Sequence, residues 1–274
     1  MTTLPRRGGT LGRELRATYA FVERNANLIK RYWAWELVWL AYSLVNALSI
    51  TFIGKAFGNT RIILFLLVGT LVWHYLAMVF DLISESIQWE RWEGTIEYTF
   101  MAPISRLTHL LGQSAFAVLY GVLHTAVILF VISLFFQINL GHANFVSMLL
   151  IIVTGSLSFI GLGMLAAVLP LLSPEKGVQM TNIIKALLLL VSGVYYDITV
   201  LPEWLQHVSR VSPAYYMLLG MRAALLDGAG IGTLLLPYVV PLLITGVITI
   251  PVGLYVFSRA ENYAKRTGRL KRNG

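Results

Sequence analysis

Apolar stretches of about 18 residues or more recur along this chain, and each is long enough to cross a hydrocarbon core of ~30 Å. Of its 274 residues 57% are hydrophobic and 12% charged, against about 25% charged in ordinary soluble domains. The chain is therefore an all-α integral membrane protein, organised as a single transmembrane domain over residues 1–274. Cysteine is absent, which excludes disulfides, thiol chemistry and Cys-based metal sites. The first 32 residues are polar and basic, with no cleavable signal peptide evident.

Residues 1–10 read as a flexible basic tail. Over 11–31, Leu11, Leu15, Thr18, Val22, Ala26 and Ile29 recur at helical spacing with Arg13, Arg16, Arg24 and Lys30 off the stripe. This predicts an amphipathic helix lying along the interface. Six spans follow, at about Tyr32–Ile53, Ile62–Ser84, Leu107–Phe136, Phe145–Leu169, Asn182–Tyr195 and Thr233–Phe257. Pro237, Pro241 and Pro251 are expected to kink the last. The connection 196–232 is too polar to span. Within it Ser212-Pro213 starts a helix and Asp227-Gly228 stops it, giving about 14 residues, too short to cross.

Six spans put both termini on one side. Seven Arg and Lys side chains from Arg6 to Arg31 precede the first span, and six from Arg259 to Arg272 follow the last. The opposite side carries only Lys55, Arg61, Arg210 and Arg222, so the termini, including the basic tail 258–274, are expected to be cytoplasmic in a cell (plasma or inner) membrane.

Between spans two and three lies an island of charge and tryptophan, residues 85–106. Trp89, Trp92, Ile96 and Phe100 share a helical spacing, which predicts one amphipathic helix over 89–100 with Glu93 and Glu97 accessible to a partner. Gly94 is expected there to permit close backbone approach. Three spans carry polar stripes: Trp35, Trp39, Tyr42, Asn46 and Ser49; Thr70, His74, Asp81 and Glu85; and Lys185, Ser192 and Thr199 with Tyr196 close by. Ionisable groups cost a few kcal/mol at a bilayer centre, so these stripes face either neighbouring helices or a substrate path. The chain has no phosphate-binding loop and no hydrolase or metalloprotease motif.

The runs Glu93-Gly94-Thr95-Ile96-Glu97, Met101-Ala102-Pro103-Ile104-Ser105-Arg106 and Leu111-Gly112 resemble the membrane subunits of type-2 ABC exporters. Pro202-Glu203-Trp204-Leu205, Ser212-Pro213-Ala214-Tyr215-Tyr216 and Arg222 extend that resemblance over nearly the whole chain, while Thr108-His109 does not identify a subfamily. The resemblance implies a permease without its own ATPase or catalytic residues, dimerising (as a homodimer) and binding two copies of a separate ATPase subunit that carries ATP and Mg. It implies that Glu93, Gly94, Thr95, Glu97 and Pro103 belong to a coupling helix seated in the ATPase, and that the N-terminal helix helps transmit closure. It also implies a path between spans one, two and five, with Trp35, Trp39, Tyr42, Asn46, His74, Asp81, Lys185, Ser192 and Tyr196 as lining candidates, capped by short re-entrant outer helices. The aromatic lining suits an amphipathic, drug-like or lipid-like cargo, or else a lipid-linked polysaccharide. Membrane lipid is the other expected partner, and nucleic acid is not expected. Two other classes stand beside the exporter: an intramembrane enzyme using His74, Asp81 and Glu85, and a membrane anchor or sensor that recruits proteins through the island.

Overall fold

The computed structural model describes residues 10–138, 141–268 and 270; the basic tail 1–9 and the last four residues of the chain lie outside the described part. Among the described residues the regular structure is helical. Helix α1 (Thr10–Arg31) is followed by α2 (Trp33–Ala56), α3 (Thr60–Glu93), α4 (Ile96–Met101), α5 (Arg106–Phe136), α6 (Phe145–Ala166) and α7 (Val168–Leu172). Then come α8 (Gly177–Ser192), α9 (Glu203–Val211), α10 (Pro213–Leu226), α11 (Ile231–Leu234) and α12 (Val240–Arg266).

Five of these segments are long and apolar enough to cross a membrane: α2, α3, α5, the α6–α7 pair and the run from Ile231 to Arg266. The remaining expected span, the fifth in chain order, is α8. It starts at Gly177 rather than near Asn182 and stops at Ser192, where Gly193 turns left-handed at φ 70°. Its 16 residues extend about 24 Å at 1.5 Å per residue, short of the hydrocarbon core.

Helix α3 is the centre of the bundle. Leu66, Val72, Leu76, Val79, Phe80, Ile83 and Ile87 are buried along it, and α2, α5, α6, α8 and α10 all pack on its sides. An apolar run this evenly distributed has almost no amphipathic bias, as suits a helix covered all round. The tightest pair is α6 against α12. A Cβ at Gly161 would meet Thr249 at 2.3 Å, and one at Gly253 would meet the Gly161 carbonyl at 2.8 Å. Small residues let two backbones approach where lipid supplies no hydrophobic drive between helices.

The proline-rich start of the last span is not a simple kink. Leu235–Val239, which contains Pro237, is a π-helical turn, and Pro241 falls in the first turn of α12. The wider turn absorbs the missing donor of Pro237, and a first-turn proline needs none. The outer helix expected between Ser212 and Asp227 is α10, Pro213–Leu226, with Ser212 and Asp227 at its caps.

Candidate functional site

The site begins where α3 outruns the membrane. Its 34 residues measure about 51 Å, so its charged last turns project past the apolar core. Gly94 stops it with a left-handed φ of 72°, while the Gly94 amide donates to the Arg91 carbonyl at 3.2 Å and the Thr95 amide to Glu90 at 2.9 Å. The chain then turns into α4, which is only six residues long.

This geometry corrects the single amphipathic helix expected over 89–100. Trp89 and Trp92 are exposed at the end of α3, whereas Ile96 and Phe100 are buried in α4. The break at Gly94 moves the two halves of the sequence stripe onto different faces. A Cβ at Gly94 would meet nothing within 4 Å among the described residues, so it is the backbone conformation that favours glycine there. Glu93, Glu97, Tyr98 and Met101 are exposed around the tip. Thr95 caps the turn and Pro103 lies in the link to α5.

Two clamps hold the tip. On one side Glu90 is almost fully buried, and its Oε1 accepts from Arg24 Nη1 of α1 at 3.1 Å and lies 3.1 Å from His109 Nε2 of α5. Asn25 Nδ2 donates to Gln113 Oε1 at 2.6 Å, and the Phe21 and His109 rings lie 4.9 Å apart. Glu14 accepts from the Thr108 hydroxyl and from the Ser105 amide. Those bonds, the Thr108 hydroxyl first, hold the Glu14 carboxyl below its ordinary range. Helix α1 therefore docks on α3 and α5 through a polar layer. Thr18, Val22, Ala26 and Ile29 of its sequence stripe turn inward, but Leu11 and Leu15 stay exposed beside Tyr19.

On the other side Arg106, the first residue of α5, reaches α12. Its Nε donates to Glu261 Oε2 at 2.8 Å, its Nη2 donates to the Phe100 carbonyl at 2.7 Å, and its guanidinium lies 4.5 Å from the Phe100 ring centre. Lys265 Nζ takes the other Glu261 oxygen at 2.5 Å, and Phe100 meets Phe257 edge-on. The end of α3 and the α4 turn are thus tied to α1, α5 and α12.

The candidate path residues do not all converge within one copy of the chain. Trp35, Trp39 and Tyr42 form an exposed edge-to-face stack on α2, and Asn46 is exposed below it. Asp81 and Lys185 do meet, at 2.6 Å, joining α3 to α8; the Ser84 and Thr181 hydroxyls meet at 3.2 Å on the same pair of helices. His74 instead pairs with His124 of α5 at 3.1 Å. Ser192 donates to the Leu188 carbonyl of its own helix, and Tyr196 donates back to Leu190 at 2.5 Å. Among the described residues no group of three or more His, Cys, Asp or Glu is placed to hold a metal.

At the far end Arg222 of α10 is buried. It donates from Nη1 to the Gly193 carbonyl at 3.1 Å and from Nη2 to Val194 at 2.8 Å, with Phe65 under its guanidinium at 3.5 Å. These carbonyls lie where α8 ends short, and the arginine fork supplies the donors that a longer helix would have provided.

Sequence reasoning passed over Arg24, Glu90, His109, Arg106 and Glu261 as functional residues. No spacing links them, since each pair joins different helices. The one available signal was position, since Glu90 and Arg91 lie just before the motif and Arg106 ends its second run.

Apolar spans, a protruding charged tip and clamps that tie it to four helices describe a multi-pass membrane protein. The chain belongs to the ABC-2 type transporter family, whose model matches residues 16–226. The match takes in most of α1, the tip and α10, and leaves α12 with Glu261 and Lys265 beyond it. Comparison with curated proteins gives no match.

Proposed function

We infer that the chain is the permease subunit of an ATP-driven exporter, with ATP hydrolysed and Mg bound on a separate ATPase subunit. The observation that carries this reading is the clamped tip: Glu93 and Glu97 are exposed on a short turn whose buried residues lock into four helices, within a chain of the ABC-2 type transporter family. A partner that moves the tip moves the bundle. In this reading the termini and tip are cytoplasmic, and two ATPase copies serve two permease copies. The exposed aromatic face of α2 and the Asp81–Lys185 pair then belong to a path formed between copies, one that suits an amphipathic, drug-like or lipid-like cargo. The His74–His124 contact supports helix packing rather than intramembrane catalysis, because it leaves His74 engaged with α5 and away from the Asp81–Lys185 pair.

The test is co-reconstitution with the partner ATPase. Because an exposed ion pair contributes only about 0.2–1 kcal/mol, Glu93→Gln or Glu97→Gln alone should reduce coupled transport no more than about fivefold. Glu93→Lys with Glu97→Lys juxtaposes like charges, and transport should fall by about tenfold or more while the protein remains folded and inserted. Normal ATP-dependent transport in the double variant would remove the coupling role from this tip.

A further inference from the structure

One face of α12 changes character along its length without leaving the surface. Ile244, Val247, Ile248 and Val252 are exposed and apolar, Tyr255 follows, and then come Arg259, Asn262, Tyr263 and Arg266. The steps of three and four residues keep these side chains on one side of the helix. The opposite side of the same turns holds Phe257, Ala260, Glu261 and Ala264, which are buried against the bundle. From Val252 to Arg259 the helix climbs about 10 Å, so tyrosines and arginines occupy the level at which an apolar membrane face gives way to headgroups.

Arg259, Asn262, Tyr263 and Arg266 line a shallow depression on this face. Arg259 Nε donates to the Tyr255 hydroxyl at 3.1 Å, and its guanidinium lies 5.2 Å from the Tyr255 ring centre, which props the side chain against the helix. Among the described residues neither Arg259 nor Arg266 forms an ion pair. The nearest carboxylate in sequence, Glu261, is buried on the other face and already accepts from Arg106 and Lys265. Two guanidinium groups without an ion pair among the described residues, beside the Asn262 amide, supply the charge and the donors that a phosphodiester accepts.

We propose that this depression binds the phosphate headgroup of an anionic phospholipid whose acyl chains lie along Val252, Ile248, Val247 and Ile244. The unbroken apolar face above the arginines favours a lipid over an acidic protein surface. A soluble phosphate would gain nothing from that face.

The experiment uses the full chain purified in mild detergent, titrated with phosphatidylglycerol or phosphatidylcholine and read by native mass spectrometry and thermal unfolding. Saturable binding of phosphatidylglycerol in preference to phosphatidylcholine is expected. Each basic group near an anionic lipid contributes about fivefold, so Arg259→Ala with Arg266→Ala should weaken that binding about twenty-five-fold. Arg259→Lys with Arg266→Lys, which retains the charge, should keep most of it. Arg61→Ala with Arg210→Ala, at the opposite end of the bundle, should leave it unchanged. Equal binding of the two lipids would overturn the proposal, as would an unaltered affinity in a folded alanine double variant. Equal stabilisation by soluble glycerol phosphate would also overturn it, because the acyl chains would then play no part. So would loss of ATPase association in the alanine variant with lipid binding intact, which would assign the face to a protein. Should the alanine variant fail to fold, Arg259→Gln with Arg266→Gln carries the same expectation.

Discussion

Replacing Arg24 with alanine is expected to destabilise the protein by about 3 kcal/mol, the cost of leaving a buried charge without its partner. Glu90 sits between α1, α3 and α5 with about 1% of its side chain exposed, and Arg24 is its charged counterpart at 3.1 Å. His109 remains as a hydrogen-bond partner after the change, which places the cost at the lower end of the usual range. A second change identifies the cause. Glu90→Gln added to Arg24→Ala removes the stranded charge and should recover most of the loss, whereas simple loss of packing by the arginine stem would not be recovered. Thermal unfolding in detergent gives the stability, and hydrogen exchange over Thr10–Arg31 shows whether α1 has lifted away. Additive losses in the double variant would show that the two side chains do not act as a pair.

The second large effect is expected at the other end. Arg222→Leu deprives the Gly193 and Val194 carbonyls of their donors in a buried setting. Each unsatisfied buried acceptor costs about 1–3 kcal/mol, so the combined loss should be about 2–6 kcal/mol, concentrated where α8 meets α10. Arg222→Lys should rescue only part of it, because a single ammonium cannot reproduce a planar fork aimed at two carbonyls over Phe65. Hydrogen exchange should rise around 193–200 and remain native at α4. A uniform rise across the chain would indicate that Arg222 supports the whole bundle instead of its outer end.

The contrast between these two regions shows what was legible in the sequence. Spans α2, α3, α5 and α6 follow from long apolar runs, and α10 follows from Ser212-Pro213 and Asp227-Gly228, because these signals are local. The stripe Trp89–Trp92–Ile96–Phe100 failed because periodicity assumes an unbroken helix, and one glycine in the left-handed region rotates everything after it. Glu90, His109 and Arg24 were illegible for another reason. Their meaning depends on three helices meeting, and a glutamate in a charged segment reads as solvated until burial is seen. The polar stripe of α3, read as facing neighbouring helices or a substrate path, sends its members to different neighbours, His74 to α5 and Asp81 to α8.

The most direct test of the coupling reading uses the absence of cysteine. Single cysteines introduced as Glu97→Cys and, at the other end of α3, Asn59→Cys can each carry a thiol-linked photo-crosslinker. Irradiation of membranes that also contain the partner ATPase should join the ATPase to the chain labelled at position 97, with a yield that changes on addition of ATP, and should leave the chain labelled at position 59 unjoined. Cross-linking at position 59 and none at 97 would contradict a permease driven through this tip.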